Sequence, residues 1–176
     1  MRTTARLGLF LVSLTGLLSA VGASYPFAFP TEQASSNRVT LTALLQRYCT
    51  FVGQMAHDSI AAMYAPDGRL DAPGRAPVVG PVAISAFLQS FAAYRVIHYA
   101  MVLDSLTVSA DTAEALGRWW QRVRVPAGDT VEVSGGIRAQ WVRTRAGGWL
   151  LHSMGTDPRP AGTPPPGPSC LSTGPR

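Results

Sequence analysis

Residues 96–126 read VIHYAMVLDSLTVSADTAEALGRWWQRVRVP, and the architecture of the chain is written in them. Apolar and polar side chains alternate along both halves of the stretch, and Ala110-Asp111 breaks it as a hairpin turn would. Two more strand-like segments follow, Asp129 to Thr144 and Trp149 to Thr156. Ala127-Gly128-Asp129 and Ala146-Gly147-Gly148 are short enough to be hairpin connections, so the four strands are expected to run as an antiparallel meander.

Upstream the period is helical. Leu41, Leu44, Leu45, Tyr48, Phe51 and Val52 recur at spacings of three and four and predict a first helix capped near Thr40 or Thr42. A short second helix is expected over Asp58 to Tyr64, with Asp58 as its N-cap, stopped by Pro66-Asp67-Gly68. Arg69 to Ala72 reads as a brief strand. Pro81 suits the first turn of a third helix, which carries Ile84, Phe87, Leu88, Phe91 and Tyr94 and ends near Arg95. Helices first and strands later define an α+β domain over residues 38–158.

The flanks read differently. Arg2 and Arg6 precede an apolar run from Leu7 to Leu18, followed by small residues up to Ala23, so residues 1–23 are expected to be a secretory signal. Its cleavage would remove two arginines, leaving a mildly basic, secreted or periplasmic chain with no stable membrane span. Residues 24–37 read as an extended linker, and 159–176 as a proline-rich, solvated tail. Export would let Cys49 and Cys170 oxidise; whether they pair or Cys49 stays a free buried thiol is left open at this level.

The 176 residues carry 47% hydrophobic and 14% charged side chains, enough for one globular core and too apolar for a disordered chain. All fifteen basic residues are arginines, spread singly, so the formal +5 charge forms no nucleic-acid-binding block. No Cys/His cluster has zinc spacing, and no phosphate loop or nucleophile elbow occurs, so the reading calls for no metal and no cofactor.

Several local sequences make the chain similar to a known family. Gly80-Pro81-Val82-Ala83-Ile84 resembles its entry to the third helix, Val108-Ser109-Ala110-Asp111-Thr112-Ala113 its strand-turn-strand signature, and Gly148-Trp149-Leu150-Leu151 its last strand. In order and spacing these resemble the SnoaL-like branch of the nuclear transport factor 2-like superfamily. The resemblance implies three N-terminal helices packed in a strongly curved antiparallel sheet that forms a cone-shaped pocket. The superfamily includes ketosteroid isomerases, scytalone dehydratases, polyketide cyclases and non-catalytic binding domains, so function has to come from side chains in the cone.

Gln46-Arg47-Tyr48 resembles the isomerase segment whose phenol donates to a developing enolate. The isomerase's carboxylate position falls on Ala72, one residue from Asp71, which would serve only if the strand bulged or shifted register. Val96-Ile97-His98-Tyr99 resembles the dehydratase position where a histidine is the acid or base, while that enzyme's partner groups fall on Ala127 and Gly53. His152 is the candidate replacement if strand curvature brings it beside His98. His57 is expected to be solvent-exposed. The catalytic candidates are therefore His98, Tyr48 and Asp71, and the candidate substrate contacts are Tyr64, Phe87, Phe91, Met101, Trp119 and His152. Alternation sends Trp119 and Trp120 to opposite faces. Arg118, Trp120, Arg122 and Arg124 then share an outer stripe that would either seat a second copy as a homodimer or remain a solvated face. These residues imply a small apolar molecule in the cone, handled by a cofactor-independent lyase or isomerase, or held by a non-catalytic binding or homodimeric module.

Overall fold

The computed structural model describes residues 30–159 and 170–173; the expected signal, residues 1–23, lies outside the described residues. Two helices, α1 (Pro30–Gln54) and α2 (His57–Ala61), are followed by two short strands, β1 (Tyr64–Asp71) and β2 (Val78–Val79), and a third helix, α3 (Pro81–Gln89). Four long strands follow: β3 (Arg95–Val108), β4 (Thr112–Arg124), β5 (Thr130–Arg143) and β6 (Trp149–Arg159), with β7 (Leu171–Thr173) last. They form one sheet in the order β2-β1-β6-β5-β4-β3-β7. The meander β3 to β6 is antiparallel, as alternation and turn chemistry predict. Parallel pairs flank it, β1 with β6 and β7 with β3, which the meander alone does not imply.

α1 lays Leu41, Leu45, Tyr48 and Cys49 against the inside of the curved sheet, where they meet Met101, Trp141, Leu151 and Met154. The spacings of four, three and one put these side chains on one helical stripe. All are nearly or wholly buried. The helix starts eight residues earlier than the linker reading placed it. Residues 30–37 hold no glycine, Pro30 sits where a missing N–H costs nothing, and Glu32 lies in the first turn, where a carboxylate favours the helix dipole. Thr40 is therefore no cap; its hydroxyl donates back to the carbonyl of Ser36 at 3.0 Å.

Asp58 is likewise not the N-cap of α2, which has no side-chain cap. Its carboxylate accepts from Gln89 Nε2 at 3.2 Å and from the Ser85 hydroxyl, tying α2 to α3. α3 ends at Gln89, and the turn after it carries Phe91 and Tyr94.

The tail is not wholly solvated. β6 runs to Arg159, Leu171–Thr173 pairs with Met101–Leu103, and Cys170 is disulfide-bonded to Cys49 with a Cα–Cα distance of 5.6 Å. The bond closes 121 residues of chain, a restriction of the unfolded state worth on the order of 4 kcal/mol. No helix among the described residues is long and apolar enough to cross a membrane.

Candidate functional site

The sheet curls around α1 and α3 to leave a cavity of about 420 Å³. Its floor and sides come from Tyr48 and Val52 of α1, Phe87 and Leu88 of α3, and the inner faces of β3 to β6. The β4–β5 end supplies a wall of Val123, Val125, Val131 and Val133. β-Branched side chains are stiff and suit a pleated surface, so this wall is a fixed one. Polar side chains in the lining are Tyr48, Tyr94, Tyr99, Gln121, Thr156 and His57, with the Trp119 indole; no aspartate, glutamate or arginine is among the described lining residues.

Tyr48 stands where the sequence placed it, and its phenol pKa is raised by burial. Tyr99, opposite Gln121 in the β3–β4 register, is pushed well above the usual tyrosine range by burial and then by Tyr48. Tyr64 is pushed up in the same way, chiefly by burial. The Tyr48 and Tyr64 hydroxyls lie close enough to influence each other, yet Tyr64 Oη completes no hydrogen bond of good geometry. All three phenols are therefore neutral near pH 7 and can act as donors.

Trp119 faces the cavity, and its Nε1 donates to the carbonyl of Gly136 at 3.2 Å, so only its apolar ring is offered to a ligand. Gly135 makes that possible: a Cβ there would sit 2.9 Å from Trp119 Nε1 and 1.9 Å from the Asp157 carbonyl oxygen. Met55 has φ of 53°, an unusual left-handed conformation for a non-glycine residue, and closes α1 with Ala56 N–H on the Phe51 carbonyl and its own N–H on Val52. This turn brings both Met55 and His57 to the cavity wall. His57 is thus a lining residue, contrary to its expected exposure.

The remaining sequence candidates separate. Tyr48, Phe87, Phe91 and Trp119 share the cavity. Tyr64 and Met101 belong to the core beside it, 2% and 1% exposed. His98 points to the other side of the sheet. A register shift between Val96 and His98 lets Val96 and Tyr99 both face inward, leaving His98 outside with its ring edge-on to Trp120 at 5.3 Å. Simple alternation would have put Val96 and His98 on one face.

Asp71 also misses the cavity, which Ala72 lines instead; it pairs with Arg69 at 3.2 Å and borders a groove on the outer face. His152 lines a separate small pocket with Ser109 and Gln140, so it does not complement His98 in the cone.

On the outer stripe, Arg118 pairs with Asp104 at 2.9 Å and Arg122 with Glu132 at 2.7 Å. Trp120 is only 5% exposed, so it is not a ready contact for a second copy. Tyr99, Gln121, Thr156 and the valine wall were missed. Counting by twos from Trp119 reaches Gln121, Val123 and Val125, so that part was within reach of the sequence. Tyr99 was hidden by the bulge and His57 by the turn.

Residues 33–155 match the SnoaL-like domain, and the chain belongs to that family. Comparison with curated proteins finds no match. Among solved structures, the chain is similar to a ketosteroid isomerase-like protein from Erwinia carotovora atroseptica, with 18% identity and a TM-score of 0.61 over 75% of this chain and 98% of that one. A conserved protein from Planctomyces limnophilus matches with 16% identity and a TM-score of 0.63 over 71% of this chain and 99% of that one. An NTF2-like protein with a cystatin-like fold from Novosphingobium aromaticivorans matches with 22% identity and a TM-score of 0.54, over 74% and 90% of the two chains. At these identities the likeness is one of fold.

Proposed function

We propose that the protein holds one small, neutral, largely apolar molecule in its cone, oriented by phenol and amide groups toward an oxygen acceptor on the ligand. The supporting observation is the lining: a cavity of about 420 Å³ with aromatic and valine walls, neutral phenols at Tyr48 and Tyr99, the Gln121 amide, and no carboxylate or guanidinium among the described lining residues. A charged ligand would lie there without a counter-charge, at a cost of several kcal/mol. The polar groups are few and convergent, as in sites that orient an apolar ligand.

A second reading, cofactor-independent lyase or isomerase chemistry, is favoured by one observation, the presence of His57 in the same cavity as Tyr48. An imidazole could take a proton beside a carbonyl while a phenol donates to the oxygen. In this reading His57 replaces His98, whose ring faces Trp120. Export through the 1–23 segment belongs to the same proposal, and the disulfide supports it, because such bonds persist in oxidising compartments.

The test is a titration followed by tryptophan fluorescence, comparing neutral aromatic and alicyclic ketones with carboxylates of the same skeleton. Saturable binding of neutral compounds, lost in a Val133→Trp variant that fills the cavity, is the expected result. Preference for the carboxylates would overturn the reading. Product formed by the wild type and abolished in His57→Ala, with binding kept, would establish the catalytic version.

A further inference from the structure

The opening of the cone gathers exposed apolar side chains. Lining residues that also reach solvent mark where the cavity opens: Phe91 and Tyr94 are each 37% exposed and Val131 is 40% exposed. Ile97, next to the lining residue Val96, is 47% exposed. These four large apolar side chains stand on the α3 exit turn and the adjoining ends of β3 and β5, and no described element covers them.

Three arginines stand beside them. Arg95 and Arg124 are direct cross-strand partners at the open end of the β3–β4 pair, and both are exposed. Two like charges directly opposite each other repel. Neither has a carboxylate partner among the described residues, whereas Arg118, Arg122 and Arg138, further along the same sheet, each pair with one. Arg75 adds a third cation, its guanidinium 5.7 Å from the centre of the Phe87 ring. Asp129, in the turn between β4 and β5, and Glu132, which is paired with Arg122, are acidic residues beside that rim.

We propose that this rim docks on an anionic lipid bilayer, with Phe91, Tyr94, Ile97 and Val131 entering the interfacial layer and Arg95 and Arg124 among the acidic headgroups. An anionic surface supplies the counter-charge that the chain does not, and the interface gives exposed aromatic and aliphatic side chains a less aqueous environment. The cavity then faces the membrane, where apolar molecules concentrate. The docking itself does not depend on whether the cone is filled.

The full mature chain should be sedimented with vesicles of phosphatidylcholine alone and of phosphatidylcholine with phosphatidylglycerol. Binding is expected only with the anionic lipid and should fall as salt rises. Reversing both arginines, Arg95→Glu with Arg124→Glu, should lower the partition at least about 25-fold, since each basic group at such a surface strengthens binding about fivefold. Ile97→Ser should weaken it further at fixed charge. Circular dichroism identifies a variant that fails to fold, and the salt series on the wild type tests the charge term without any substitution. No binding, equal binding to both vesicle types, or binding unaffected by salt and by the double reversal would overturn the proposal.

Discussion

At the residue scale, Tyr48 and Tyr99 owe their usefulness to burial, which raises both phenol pKa values and keeps them protonated. Protonation is the favoured form in the folded state, so the stability it supplies is present below the unfolded pKa of about 10 and is lost as pH rises through the higher folded values. The Tyr48 and Tyr99 phenols should therefore add no pH dependence to ligand affinity from about pH 6 to 9, and stability to denaturant should fall above about pH 10, with the tyrosinate absorbance of Tyr48, Tyr64 and Tyr99 appearing only on unfolding. Tyr48→Phe removes one donor and should weaken ligand binding about 5- to 10-fold, leaving the fold intact. Met55 tests the turn. Met55→Gly relieves a left-handed residue, so stability should hold or rise by up to about 1 kcal/mol while ligand affinity falls with the lost side chain. A large stability loss with unchanged affinity would contradict its placement.

At the element scale, the strands were legible because alternation and turn residues speak together, as at Ala110-Asp111 and Gly147-Gly148. Where a bulge interrupts that alternation, between Val96 and His98, the facing of residues could not be counted, and the acid/base candidate went to the wrong side. The start of α1 was illegible for another reason. Asn37, whose Oδ1 accepts from Gln33 Nε2 at 3.2 Å, is the buried residue of that first stretch, so there was no apolar period to read. β7 depends on the disulfide that anchors Cys170, a pairing no local pattern specifies. Cys49→Ser with Cys170→Ser should cost on the order of 4 kcal/mol in denaturant unfolding, and amide exchange at Met101 should accelerate, because its N–H donates to the Cys170 carbonyl at 2.8 Å. Unchanged stability would show that β7 holds without the bond.

At the scale of the whole molecule, one curved sheet gives its inner face to the cone and its outer face to ion pairs. The division explains why Trp119 and Trp120, adjacent in sequence, do unrelated things. Trp120 packs within the chain, so Trp120→Glu should lower the melting temperature without changing the molecular mass in solution; a change from dimer to monomer with stability kept would return it to an interface. The SnoaL-like fold was readable from element order, while the lining needed the register. The most direct measurement on the central claim is native mass spectrometry of the protein purified from its own host, beside the Val133→Trp variant. The account predicts one small neutral molecule retained by the wild type and absent from the variant. A ligand equally retained by both, or one that is anionic, would contradict it.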